Sequence, residues 1–146
     1  MRTIALFMLF LSALPVFAQA PSEEQLNHIM NNVSHEYTIC AAYFSLVSGV
    51  LGNAGDSDDA ATYAWMTDEA LILATTFGRA GRDRDMLSKI IQVRLDTAVK
   101  GMRKEINNDA ANFDLLLAKH GERCKWSLEN TDALIEEWTT KELSRQ

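Results

Sequence analysis

The sequence contains very little proline. Its two prolines are Pro15 and Pro21, so every position from residue 22 onward has a backbone N–H that can enter a helical hydrogen bond. Proline inside a helix removes one such bond and clashes with the preceding turn. Its scarcity therefore favours an all-α chain.

Motifs that would identify an enzyme or a metalloprotein are also absent. The chain has no Gly-x-Ser-x-Gly elbow, no Walker loop and no His-Glu-x-x-His motif. It lacks the Glu-x-x-His pairs of di-metal bundles and the Cys-x-x-Cys-His motif of covalent haem. We therefore expect no cofactor, no metal and no catalytic residue. An acid–base pair assembled only in three dimensions is left open.

A long basic stretch is another missing feature. The chain carries 14 Lys and Arg against 20 Asp and Glu, which gives a net charge of −6. An acidic chain without a basic stripe is poorly suited to bind nucleic acid or anionic lipid. We expect no nucleic-acid partner and, once the first segment is removed, no membrane association.

The first segment has the pattern of a secretory signal peptide. A positive start is followed by an apolar run over residues 4–17, and Ala18 and Ala20 place small residues where signal peptidase cleaves. An uncleaved membrane anchor is the alternative, but a spanning helix needs about 20 apolar residues and this run is shorter. We predict a cleaved signal peptide over 1–20, a single helical domain over 21–146, and export to the periplasm or the cell exterior.

Only two cysteines occur, Cys40 and Cys124, and both follow the predicted signal peptide. Two thiols in an oxidising compartment usually pair, so we predict a Cys40–Cys124 disulfide. According to chain-entropy estimates, a disulfide that closes a loop of this length stabilises the fold by about 4–5 kcal/mol. Two buried free thiols are the alternative. A redox-active thiol is disfavoured because neither cysteine lies in a Cys-x-x-Cys motif.

A long apolar repeat organises the chain between Leu26 and Leu51. Its members are separated by alternate steps of four and three residues: Leu26, Met30, Val33, Tyr37, Cys40, Phe44, Val47 and Leu51. This heptad seam predicts one long helix that presents a single apolar stripe to other helices. Ser22 and Gln25 have the spacing of a capping box and mark its start.

Further apolar patterns predict the helices that cover this seam. The expected helices span about 22–51, about 58–80, Asp83 or Asp85 to about Ile106, about 110–129, and a short last stretch through about Leu143. The connection at Asn107–Asp109 is ambiguous, because the apolar phase also fits one continuous helix. In such a helix Cys124 would lie about 60 Å along the axis, too far to reach Cys40. If the disulfide forms, the chain turns there. We therefore predict an antiparallel four-helix bundle with a short C-terminal fifth helix, whose first and fourth helices are linked by the disulfide.

Aromatic residues and one histidine supply the candidate contact residues. Tryptophan is enriched at interface hot spots, although its size also makes it common at the boundary of a core. His120 falls near the inner face of the fourth helix, where a lone histidine is usually a core or boundary residue. The candidate contacts for a partner or ligand are Tyr43, Trp65, His120, Trp126 and Trp138.

Two functions are consistent with these features. The first is a non-enzymatic protein-interaction module that presents an exposed groove or aromatic patch to a protein partner. The alternative is a carrier of a small ligand or cofactor, with a pocket between helices lined by Met, Phe and Tyr. The heptad seam suits both a monomeric bundle and a homodimer, so the sequence leaves the oligomeric state open.

Overall fold

The structure of the protein is a computed structural model that describes residues 20–79 and 81–145. These residues are helical and contain no β-strand, which confirms the predicted all-α class. The helices are α1 (Glu23–Ala54), α2 (Ser57–Gly78), α3 (Arg84–Glu105), α4 (Asp114–Leu116), α5 (Glu122–Glu129) and α6 (Thr131–Leu143). A 3₁₀ turn at Ala110–Asn112 precedes α4, and a π-helical turn at Leu117–Gly121 joins α4 to α5. The predicted signal peptide lies outside the described residues, except for its last residue, Ala20.

Local sequence signals set the ends of α1. The Ser22 hydroxyl accepts a hydrogen bond from the Gln25 backbone N–H at 3.2 Å, and the Gln25 side chain accepts one from the Ser22 backbone at 2.8 Å. These two bonds form the predicted capping box and satisfy donors that the first helical turn leaves free. At the other end Gly55 adopts a left-handed conformation (φ 87°), which a glycine tolerates without steric cost.

The central helix of the fold is α1, on which α2, α3, α5 and α6 all pack. Five seam residues in its middle are buried, namely Val33, Tyr37, Cys40, Phe44 and Val47. By length and composition α1 is also long and apolar enough to cross a membrane, a test that the core helix of a soluble protein passes equally. The helices α2 and α5 each contact α1 but scarcely touch one another. A groove is therefore left between them.

The buried residues form two clusters along α1. The disulfide cluster contains Cys40, Tyr43, Phe44, Met102, Ile106, Phe113, Leu116 and Cys124, together with Ala41, Ala42, Val47 and Ala70. The Tyr37 cluster contains Ile29, Val33, Tyr37, Ala74, Leu87, Ile91 and Leu134. Both clusters contain residues of α1, so this helix contributes to the whole length of the core.

The chain reverses direction after α3, at the position that the sequence left ambiguous. Asn107 and Asn108 have φ values of 54° and 56°, a left-handed conformation that asparagine adopts more readily than most residues. The Asn112 side chain donates a hydrogen bond to the Ile106 carbonyl at 3.2 Å and closes the turn. The returning segment brings Cys124 to Cys40, and their Cα atoms lie 5.1 Å apart in the predicted disulfide.

The returning segment differs from the single helix that the sequence predicts over 110–129. It consists of the 3₁₀ turn, α4, the π-helical turn and α5 in succession. The disulfide consequently joins α1 to α5, the last part of the predicted fourth helix. A contact with α1 accounts for glycine at the end of the π-helical turn: a Cβ atom at Gly121 would lie 3.1 Å from the Tyr43 hydroxyl.

Candidate functional site

A concave surface that contains two of the predicted contact residues, Tyr43 and Trp65, lies between α2 and residues 117–129, and we call it the α2–α5 groove. It contains two adjoining hollows. The first has a volume of about 250 Å³ and is lined by Tyr43, Phe44, Tyr63, Met66, Leu117, Gly121, Glu122 and Lys125. The second has a volume of about 410 Å³ and is lined by Trp65, Met66, Glu69, Leu73, Lys125, Leu128 and Glu129. Met66 and Lys125 line both, so the two hollows form one continuous surface.

Tyr43 forms the aromatic base of the first hollow. Its side chain is only 2% exposed, and its ring packs at a tilt against Phe44, with the ring centroids 5.3 Å apart. Burial raises the pKa of Tyr43 to about 12, with a smaller contribution from Tyr63. The phenol is therefore protonated at any ordinary pH. It offers a hydrogen-bond donor inside an otherwise aromatic and apolar lining.

His120 lies behind this hollow, on the π-helical turn. Its ring centroid is 6.1 Å from that of Tyr43, and its Nε2 atom is buried without a hydrogen-bond partner among the described residues. The nearest carboxylate oxygen, on Glu105, is 3.8 Å from Nε2, which is too long for a hydrogen bond. Burial and, to a lesser degree, the charge of Lys119 lower the pKa of His120, against an opposing effect of Glu105. The imidazole is therefore neutral near pH 7.

Trp65 gives the second hollow its largest exposed aromatic surface. The Trp65 side chain is 59% exposed on α2. Charged residues surround the groove, three of them acidic (Glu69, Glu122 and Glu129) and one basic (Lys125). The groove thus combines an apolar lining with a mainly negative edge.

The other two candidate tryptophans belong to a separate polar network that attaches α6 to α1 and α5. The indole N–H of Trp138 donates to Glu36 Oε2 at 2.8 Å. The second oxygen of Glu36 accepts hydrogen bonds from Arg123 Nε and from the Ser127 hydroxyl. The Arg123 guanidinium also lies 4.8 Å from the ring centroid of Trp126, a cation–π distance. Trp138 therefore joins α6 to α1, whereas the contact between Arg123 and Trp126 lies within α5.

The structure thus separates the five predicted contact residues into two groups. Tyr43 and Trp65 line the α2–α5 groove and His120 lies beside it, whereas Trp126 and Trp138 lie in the Glu36 network. Tyr63, Met66 and Lys125 also line the groove, although none of them was among the contact residues predicted from the sequence. No sequence signal marks these residues as groove-lining, because the incomplete cover over this face of α2 depends on how α2 and α5 pack on α1.

Chemically, the groove offers apolar surface, one buried hydroxyl donor and a charged edge, features that can hold an apolar ligand or peptide segment. Within residues 20–79 and 81–145, no group of three His, Cys, Asp or Glu side chains is placed to hold a metal ion. Comparisons of the chain with protein-family models, with curated proteins and with solved structures found no match. Function is therefore inferred from the geometry of the groove.

Proposed function

We propose that the protein is an exported, non-enzymatic interaction protein whose α2–α5 groove binds an apolar segment of a partner protein. The observation that carries this proposal is the continuous groove beside the exposed Trp65 side chain. Apolar grooves between helices are a recurring way of holding an amphipathic helix or peptide. Tryptophan is among the residues that contribute most to binding energy at such surfaces.

The charge at the edge of the groove specifies the kind of partner. Glu69, Glu122 and Glu129 outnumber Lys125, and the whole chain has a net charge of −6. Complementary charges raise association rates and disfavour partners of the wrong sign. The partner segment is therefore apolar along one side and flanked by Lys or Arg.

Export is supported by two independent features. The disulfide between Cys40 and Cys124 is compatible with an oxidising compartment, where such bonds persist. The apolar run over residues 4–17, followed by small residues, has the pattern of a signal peptide. We place the mature protein in the periplasm or outside the cell.

The same proposal includes the arrangement of the helices. We assign α1, α2, α3 and residues 110–129 to an antiparallel four-helix bundle, with α6 as the short fifth helix. The support for this arrangement is the packing of α2, α3 and α5 on α1 and the reversal of the chain at Asn107 and Asn108.

Site-specific photo-crosslinking in the producing cell tests the interaction. A photoreactive amino acid at position 65 should yield an adduct of one defined mass. The same amino acid at position 93 on α3 is the matched control, because Val93 is also exposed (65%) but lies outside the groove. The adduct identifies the partner, which is then purified for binding measurements.

Binding measurements with that partner then separate the groove from the rest of the surface. Trp65→Ala should weaken binding at least about tenfold, a loss of about 1.4 kcal/mol. Glu69→Lys, made on its own, should also weaken binding of the partner, most strongly at low salt. Val93→Ala should leave binding unchanged. Equal crosslinking at positions 65 and 93, or unchanged binding of Trp65→Ala, would contradict the proposal.

A second function is favoured by the first hollow alone. The aromatic lining by Tyr43, Phe44 and Tyr63 suits a small apolar ligand with one hydrogen-bond acceptor, held as cargo between the helices. Native mass spectrometry of the protein purified from its producing cell tests it. An additional mass that survives gentle ionisation and is lost in Tyr63→Ala would favour the carrier function. A bare chain would count against it.

A further inference from the structure

Two arginines, Arg82 and Arg94, donate hydrogen bonds to one neutral side chain, that of Asn31. None of these three residues lines the α2–α5 groove. The Asn31 amide oxygen, on α1, accepts a hydrogen bond from Arg82 Nη2 at 3.1 Å and another from Arg94 Nη2 at 3.0 Å. Arg82 Nη1 also donates to the Gly78 carbonyl at 3.0 Å. Residues from the loop after α2, from α3 and from α1 therefore meet at a single oxygen atom.

Neither guanidinium has an acidic partner among the described residues. Arg82 and Arg94 take part in none of the ion pairs found there. The nearest acidic residue in sequence, Asp83, is used as the cap of α3, where its carboxylate accepts a hydrogen bond from the Met86 backbone N–H at 3.3 Å. The positive charge of the pair is therefore left uncompensated in a protein that has more acidic than basic residues.

The positive charge of the two arginines contributes to lowered pKa values at Arg94 and His35. Burial and then the charge of Arg82 lower the pKa of the Arg94 guanidinium. Burial and then the charge of Arg94 lower the pKa of His35, one turn along α1 from Asn31, against an opposing effect of Glu36. Burial is the larger cause of both shifts, and a like charge held nearby adds to it.

The pair also has unused hydrogen-bond donors. Each guanidinium carries five N–H donors in a planar fork, and the two together use three of them in bonds to the described residues. Such forks match the oxygens of carboxylate and phosphate groups, to which they donate two parallel bonds. Both side chains are partly exposed, so a solute can reach these donors.

We propose that Arg82 and Arg94, held in place by Asn31, form a binding site for a small free oxyanion that carries a phosphate or carboxylate group. The anion supplies the negative charge that no residue in the described part of the chain places there. Its two acceptor oxygens take the donors that the Asn31 amide leaves free. This site is built from different residues than the groove and does not depend on the function proposed for it.

Anion titrations of the full-length mature protein test the site. Inorganic phosphate should raise the melting temperature in a saturable manner at constant ionic strength, and sodium acetate provides the planar carboxylate for comparison. Whichever anion binds more tightly identifies the class of ligand. Arg94→Gln should weaken binding at least tenfold. Arg84→Gln is the matched control, because Arg84 is exposed on the same helix and outside the cluster.

A second variant keeps the test decisive if Arg94→Gln does not fold. Asn31→Asp replaces the shared neutral acceptor by a carboxylate, which supplies the missing negative charge from within. This variant should melt a few degrees higher than the wild type and should no longer respond to phosphate or acetate. Asn32→Asp makes the same charge change one residue away and should do neither.

The opposite results would overturn the proposal. These are the absence of a saturable shift with both anions, equal anion responses in Arg94→Gln and Arg84→Gln, or a lower melting temperature for Asn31→Asp than for Asn32→Asp. Any of them would mean that the two arginines only attach the α2–α3 connection to α1.

Discussion

The Tyr43 hydroxyl occupies the space beside Gly121 that a side chain at that position would need. A Cβ atom at residue 121 would lie 3.1 Å from the hydroxyl oxygen, closer than carbon and oxygen usually approach. Gly121 itself has ordinary helical angles (φ −56°, ψ −60°), so its backbone does not require glycine. The requirement comes from the contact with α1.

This contact predicts that Gly121→Ala destabilises the wild-type protein but stabilises the Tyr43→Phe variant. Gly121→Ala should lower the free energy of unfolding by about 1 kcal/mol in the wild type, because the clash outweighs the better helix propensity of alanine. In Tyr43→Phe the oxygen is gone, and the same substitution should raise it by about 0.5–1 kcal/mol. A double-mutant cycle measured by urea unfolding checks this coupling. Additive effects of the two substitutions would contradict it.

Loss of the disulfide should cost several kcal/mol. The bond joins residues separated by 84 positions, and the chain-entropy model gives about 4–5 kcal/mol for a loop of this size. The double variant Cys40→Ser/Cys124→Ser should therefore unfold at a much lower urea concentration than the oxidised protein. The wild type under reducing conditions is the control and should resemble the variant. An unchanged midpoint would show that the bond contributes little.

Two glycines in helices should respond to alanine in opposite ways. A Cβ atom at Gly78 would lie 2.6 Å from Leu87 Cδ1 and 2.9 Å from Ser34 Oγ. Gly78→Ala should therefore lower the free energy of unfolding by about 1–3 kcal/mol. A Cβ atom at Gly101, on α3, has no atom within 4 Å, so Gly101→Ala should raise it by about 0.5–1 kcal/mol. Thermal unfolding of the two variants, compared with the wild type, checks both; equal effects would refute the predicted clash.

Two histidines whose pKa values are lowered in the folded protein, His35 and His120, predict a lower free energy of unfolding in mild acid. Burial is the main reason that the pKa values of His120 and His35 lie below their ordinary value of 6.5 in the folded protein. Below pH 6.5 the unfolded chain therefore binds more protons than the folded one. Their contribution to stability is complete above that pH and is lost as the pH falls toward the folded-state values. His120→Gln, compared with the wild type by urea unfolding between pH 5 and 7.5, should show a shallower pH dependence; an identical slope would contradict this assignment.

Local patterns predicted the parts of the fold that depend on neighbouring residues. The heptad seam and the Ser22–Gln25 capping box lie within one stretch of chain, where helical periodicity relates sequence position directly to a face of the helix. The disulfide was predictable because the chain offers a single pair of cysteines. The turn at Asn107 then followed from the reach of that bond.

The features that the sequence did not predict join residues far apart in the chain. The π-helical turn accommodates a contact between Gly121 and Tyr43, which no local period encodes. Glu36 and Trp138 are separated by 102 residues, and Asn31 and Arg94 by 63. Tyr43 and Trp65 were predicted as contact residues from their chemistry alone. Their common groove emerged only from the packing of α2 and α5 on α1.

The disulfide also makes most of the protein a covalent ring. Every residue between Cys40 and Cys124, including all of α2 and α3, lies within it. A single proteolytic cut at the exposed Asn107–Asn108 turn would open the ring without releasing a fragment. The nicked protein would keep the mass of one molecule until a reductant separated its two pieces.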